Sequence, residues 1–215
     1  PFLMIAFTAT SLSAQVEDIS KFWDNGNIQA KYRLVAGEYD GEVAYWYENG
    51  NKLSASNYVN GVIDGSYKEW FENGNLKCSK TYKDGLLEGA VEWWYENGKK
   101  KSSTEYIRCD QQGPLKEWNE DGLLLVQGNV LYKDTLRFID PETNEDAAIP
   151  LLRMNRTTYF LNGKVETKSI FDPATGATDW KAFHENGKRK ETGTLKRERK
   201  VGEWIYYNKR GRLLK

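Results

Sequence analysis

The chain has 215 residues, 31 basic and 31 acidic, and a formal net charge of zero. That length allows one or two globular domains or a single array of about eight small units, and the charge balance excludes a global field drawing it to nucleic acid or anionic lipid. Apolar content is modest at 39%, yet there are 8 Trp and 13 Tyr, a balance that suits a thin structure stacking aromatics between units.

The N-terminus reads differently from the rest. Phe2-Leu3-Met4-Ile5-Ala6-Phe7 is apolar, and Ser11, Ser13 and Ala14 lead into Gln15. An apolar run followed by small residues is the core and cleavage zone of a secretory signal peptide, so residues 1–14 read as a signal remnant whose basic start lies upstream. Cleavage after Ser13 satisfies the small-residue rule better than cleavage after Ala14, which places Leu12 three positions back. The run is shorter than the ~20 apolar residues of a membrane span. The expectation is an exported protein (periplasmic, cell-surface or secreted) without a transmembrane segment.

From Phe22 a period of 24 residues takes over. Trp46-Tyr47-Glu48-Asn49-Gly50 recurs as Trp70-Phe71-Glu72-Asn73-Gly74 and Trp94-Tyr95-Glu96-Asn97-Gly98. The final glycine marks one series, Gly26, Gly50, Gly74, Gly98 and Gly122, and a second, Gly163, Gly187 and Gly211. A fixed period of this length signals a repeat architecture. Each unit divides alike: an aromatic pair, Asn-Gly, a strand-like run with a Tyr eight residues on (Tyr58, Tyr82, Tyr106), then a second Gly-containing turn. Asn-Gly between strand-like runs is a hairpin signal, because Gly, and Asn at lower cost than most residues, accept positive φ. Each unit is therefore a hairpin plus a connection to the next.

Aligned by the marking glycine, the position four residues earlier holds Phe22, Trp46, Trp70, Trp94, Trp118, Tyr159, Phe183 and Tyr207, all aromatic. The next position, Trp23, Tyr47, Phe71, Tyr95, Asn119, Phe160, His184 and Asn208, falls on the opposite face by alternation. Two residues after the mark stand Ile28, Leu76, Leu124, Val165 and Leu213, interrupted by Lys52, Lys100 and Arg189. Such columns form side-chain ladders that no single unit could bury alone. About 16 strands at ~4.8 Å each would make a sheet roughly 75 Å long.

Between Gly122 and Gly163 the register carries 17 extra residues, and Pro141-Glu142-Thr143-Asn144-Glu145-Asp146 inside them is turn-rich and acidic. Residues 126–158 read as an inserted longer hairpin or protruding loop, dividing the array into 15–125 and 159–215. The last unit is short, and its Lys209, Arg210, Arg212 and Lys215 read as a solubilising cap on an edge. Cys78 and Cys109 sit seven positions apart within their repeats. That is roughly 23 Å along parallel-running strands, beyond the reach of a disulfide.

The pattern Trp-Tyr-Glu-Asn-Gly followed by Tyr-x-x-Gly-x-x-x-Gly resembles the MORN (membrane occupation and recognition nexus) repeat in its bacterial variant form, most clearly at Tyr82-Lys83-Asp84-Gly85-Leu86-Leu87-Glu88-Gly89 and at Tyr58 to Gly65. The resemblance covers most of residues 22–125 and 159–215. It implies an all-β, elongated, twisted antiparallel sheet of hairpins, and an antitoxin-like label. Cys109 departs from the pattern where Gly61 and Gly85 stand in other units.

No catalytic constellation emerges. The single His184 occupies an otherwise mainly aromatic column, and the sequence has no Cys-x-x-Cys, phosphate loop or nucleophile elbow. The recurring Glu48, Glu72, Glu96 and Glu185 belong to a recurring turn. The expectation is a non-enzyme without cofactor or metal, acting as a protein-interaction scaffold. Trp23, Tyr47, Phe71 and Tyr95 are the candidate contact residues; the marking glycines with Trp46, Trp70, Trp94 and Trp118 are the structural framework. The alternatives are binding of cell-wall glycan, which would need the contact aromatics exposed and coplanar, and an antitoxin-like or immunity role. Free sheet edges leave self-association open.

Overall fold

The computed structural model describes residues 15–139 and 146–214, with side chains described outside 132–153. The signal-peptide reading of residues 1–14 therefore lies outside the described residues. The strands are β1 (Val16–Phe22), β2 (Ile28–Val35), β3 (Glu38–Tyr39), β4 (Gly41–Trp46), β5 (Lys52–Val59), β6 (Val62–Trp70), β7 (Leu76–Lys83), β8 (Leu86–Leu87), β9 (Gly89–Trp94), β10 (Lys100–Ile107), β11 (Asp110–Trp118), β12 (Leu124–Ile139), β13 (Asp146–Tyr159), β14 (Val165–Asp172), β15 (Ala177–Phe183), β16 (Arg189–Lys196) and β17 (Arg199–Tyr206). They form one 17-stranded antiparallel sheet. Each strand pairs with its neighbour in the chain, except that β2 reaches past the two-residue β3 to β4, and β7 past β8 to β9. Among the described residues β1 pairs only with β2 and β17 only with β16, so the sheet is open.

The eight marking glycines all adopt positive φ, between 77° at Gly163 and 88° at Gly50. Around Gly50, its N–H donates to Tyr47 O at 3.0 Å and Tyr47 N–H donates to Asn51 O at 2.8 Å. This is a type I turn closed by a glycine bulge, in which the glycine alone needs the left-handed region. Here the structure departs from the positive φ read for Asn: the asparagine serves through its side chain. The turns at the other end of the units do use two successive positive φ values, at Asn60 (48°) and Gly61 (77°), Asp84 (49°) and Gly85 (78°), and Arg108 (50°) and Cys109 (69°). Those are type I′ geometry, matched to strand twist.

One register shift recurs where each unit closes. Trp46 pairs with Lys52 while Tyr45 pairs with Ser54, leaving Leu53 as the extra residue, and Lys77 and Lys101 take the same place later. The aromatic column thereby pairs across its own hairpin with the column two after the mark: Phe22 with Ile28, Trp70 with Leu76, Trp94 with Lys100, Trp118 with Leu124, Tyr159 with Val165, Phe183 with Arg189, Tyr207 with Leu213.

Because the sheet is a single layer, burial is lateral and shallow. Cys78 is fully covered, Val130 and Ala30 are 2% exposed, and the other buried apolar side chains are mostly small, as at Val43, Ala44, Val91 and Ala182. A continuous row of register partners crosses the sheet on the better-buried face: Tyr45, Ser54, Glu69, Cys78, Trp93, Ser102, Glu117, Val126, Thr158 and Thr167. On the opposite face the corresponding row reads Ala44, Ala55, Lys68, Ser79, Glu92, Ser103, Lys116, Gln127, Thr157 and Lys168. Alternation has separated a better-buried face, lined at mid-strand by Tyr and Trp, from one whose mid-strand positions are mostly polar and whose aromatics, Trp46, Trp70 and Trp94, stand next to the turns.

Candidate interaction face

On the aromatic face, rings from neighbouring strands meet tilted or edge to face. Tyr32 and Tyr39 rings lie 5.2 Å apart at 87°, Tyr39 and Tyr58 5.3 Å apart at 47°, and Tyr67 and Tyr82 6.4 Å apart at 76°. The ammonium of Lys80 lies between two rings, 5.2 Å from Tyr67 and 5.1 Å from Trp93. Such contacts favour offset and T-shaped geometry because of the ring quadrupole. They also make poor flat platforms for a sugar ring.

Burial pushes the Tyr45 hydroxyl up to about 12, helped by its hydrogen bond with Tyr39. Burial likewise raises Tyr67 to about 12, with the Glu69 carboxylate adding to it. Tyr47 and Tyr82 are raised by burial as well, and so is the Cys78 thiol. Tyr45, Tyr47, Tyr67 and Tyr82 therefore remain neutral hydroxyls through the physiological range. The charge they carry between them comes from Glu69, ion-paired to Lys77 at 2.6 Å, and from Lys80.

The candidate contact residues line the turn edge of this face, half-buried, and most are tied to the next unit. Trp23 Nε1 donates to Trp46 O at 3.1 Å, Tyr47 OH to Trp70 O at 2.9 Å and Tyr95 OH to Trp118 O at 2.8 Å. Phe71 has no donor and instead lies beneath the Lys77 ammonium at 5.9 Å. His184 takes the equivalent place, its Nε2 3.0 Å from Tyr207 O. These side chains are struts between units, and their polar atoms are already engaged.

The turns themselves are laddered. Asn25, Asn49, Asn73 and Asn97 each donate through Nδ2 to the carbonyl of Glu48, Glu72, Glu96 and Glu120 respectively, at 2.8 to 3.0 Å. Asn49 and Asn73 also accept, through Oδ1, the N–H two residues on. The glutamates recur at a position whose backbone carbonyl receives the previous turn. At the opposite edge Gly61, Gly85 and Cys109 N–H donate to Tyr39, Ile63 and Leu87 O. The ladder stops where the sequence changes: Asn119 and Asn208 cap their own turns, accepting from Asp121 and Leu123 and from Arg210 and Arg212. It resumes between them with Asn162 to Glu185 and Asn186 to Lys209.

Tyr32, Tyr39, Tyr45, Tyr67 and Trp93 were absent from the sequence-based contact set. Tyr45 and Trp93 were within reach of it, since they stand two residues before Tyr47 and Tyr95 and share their face by alternation. The opposite face carries its own cation–π pairs, with Lys52 over both Trp46 (5.6 Å) and Trp70 (5.7 Å) and Lys100 over Trp94 (5.5 Å). Among the described residues, no group of His, Cys, Asp and Glu is placed to hold a metal ion, and no helix is long and apolar enough to cross a membrane.

No curated protein matches the chain. Three consecutive segments, residues 39–60, 63–84 and 87–108, do match a family model, that of the MORN repeat variant.

Proposed function

We propose that this chain is a non-catalytic interaction scaffold, exported to the cell envelope, that binds another protein through its aromatic face. One observation carries the reading: a row of half-buried Tyr and Trp side chains spans several repeats of a single-layer sheet, and no second layer of the described chain covers it. Amphipathic rings with neutral hydroxyls combine contact area with hydrogen-bonding capacity and lose little entropy on binding, which is why Tyr and Trp are enriched at interfaces. The matched repeats are consistent with a module that works by interaction.

Contact is assigned to the middle of the face, around Tyr58, Tyr67, Lys80, Tyr82 and Trp93, rather than to the turn-edge struts. Glycan stacking fits less well, because the described ring pairs are tilted or edge-on and Trp23, Tyr47, Phe71 and Tyr95 are half-buried. An antitoxin-like role rests on the resemblance alone.

The test places a photo-crosslinking residue at Lys80, on the aromatic face, or at Lys68, on the other, and exposes each protein to the envelope fraction of its source cells. Protein adducts from position 80 and not from 68 would support the reading. Adducts from 68 alone would put the binding surface on the wrong face. Retention on insoluble cell-wall polysaccharide without protein adducts would bring the glycan reading forward.

A further inference from the structure

The edge strand β1 is self-complementary, and we propose that two copies of this chain pair through it, antiparallel about a two-fold axis at Ile19. Gln15 O accepts from Ala36 N–H and Trp23 N–H donates to Asn27 O, both at 2.8 Å. Antiparallel alternation therefore turns the backbone groups of Glu17, Ile19 and Lys21 toward β2, and those of Val16, Asp18, Ser20 and Phe22 away from the sheet. Among the described residues nothing pairs with that outer edge.

A second β1 can pair there only in registers that bring outward residues opposite one another. With Ile19 opposite Ile19 of the second copy, Asp18 faces Ser20 and Val16 faces Phe22 as hydrogen-bonded pairs, and every residue of the strand is used. Val16 and Phe22, exposed at 57% and 62%, then cover each other. In the same register Glu17 lies opposite Lys21 of the second copy at both ends of the pair. Neither residue has a charged cross-strand partner within its own chain, where they face Leu34 and Ala30. The neighbouring register toward the N-terminus sets Asp18 directly against Asp18, and like charges so placed repel. The other edge lacks this symmetry: the carbonyl of Tyr206 on β17 is taken by Leu214 N–H, and Arg199 and Lys200 blunt the strand.

A single seven-residue strand pair is smaller than the interfaces of tight complexes, so the dimer is expected to be weak, with a dissociation constant on the order of 10–100 µM. Sedimentation equilibrium of the full chain from micromolar to millimolar concentration reads it directly. Ser20→Pro removes an outward N–H without breaking a β1–β2 bond and should leave a folded monomer. Glu17→Lys alone sets lysine against Lys21 and should weaken association about tenfold. Adding Lys21→Glu should restore it, a recovery that a merely structural effect on β1 would not give. A wild-type chain that stays monomeric to millimolar concentration, a Ser20→Pro variant that still dimerises, or a double swap that fails to recover would each overturn the proposal.

Discussion

Replacing Asn73 by Ala removes two hydrogen bonds from one turn, the 2.9 Å bond accepted from Asn75 N–H and the 3.0 Å bond donated to Glu96 O. Both are exposed, so water takes up part of the loss, and each is worth about 0.5–1 kcal/mol. The Glu96 carbonyl keeps a second donor in Asn75 Nδ2 at 2.8 Å, which limits the damage across units. The expected cost is about 1–2 kcal/mol in urea-induced unfolding. Asn73→Asp separates the two roles. It keeps the acceptor for Asn75 N–H but brings a carboxylate oxygen against the Glu96 carbonyl, so at neutral pH it should cost about as much as Ala. Relative to wild type, that cost should shrink as the carboxyl protonates below about pH 4 and regains a donor. The chain holds a natural control in Asp121, which occupies this slot only where Asn119 has taken over the capping. Costs below about 0.3 kcal/mol for both variants, small against a typical hydrogen bond, would refute the claim that the turn ladder couples the repeats.

Three further outcomes follow from local geometry. Cys109 sits at φ 69° where other units carry Gly, so Cys109→Gly should raise stability by about 0.5–1 kcal/mol by relieving left-handed strain; the lost contact of its Sγ with Leu87 N–H (3.2 Å) is exposed and weak. An added Cβ at Gly193 would lie 2.4 Å from the Trp204 ring, so Gly193→Ala should cost about 1–3 kcal/mol by overpacking, measured by the same urea titration. Tyr45 and Tyr67 are raised from 10 to about 12 in the folded chain. The unfolded state thus gives up these protons first, and the stability they contribute is present below pH 10 and lost as pH rises toward 12. The melting temperature should fall across that window, and tyrosinate absorbance should show a late-titrating fraction that disappears in denaturant.

Much of the framework was legible in the residues because the sheet is a strict repetition. Among the described residues the glycine marks locate the type I bulged turns, and the aromatic column and the column two after the mark are direct cross-strand partners, as at Trp70 and Leu76. What stayed hidden was the division of labour inside the turn. From sequence Asn49 and Gly50 read as one positive-φ pair; the backbone gives that task to the glycine and turns the amide toward Glu72 O in the next unit. That contact is 23 residues away and leaves no local pattern. The face of each residue near the turn was obscured for a related reason: the bulge at Leu53, Lys77 and Lys101 inserts an extra residue and breaks simple alternation. The candidate contact residues show the same limit. Trp23, Tyr47 and Tyr95 carry amphipathic rings that fit a partner surface equally well, and only the distances to Trp46, Trp70 and Trp118 carbonyls mark them as struts.

Small-angle scattering at low micromolar concentration, below any dimerisation, tests most directly whether the described strands form one extended layer with its aromatic face uncovered. Since β3 and β4 share the same side of β2, and β8 and β9 the same side of β7, the 17 strands occupy 15 positions across the sheet. At ~4.8 Å each, these should make it roughly 70 Å long with a radius of gyration above about 20 Å. A compact fold of the same chain length would give about 17 Å, and that value would mean the sheet is folded on itself and the proposed face is buried.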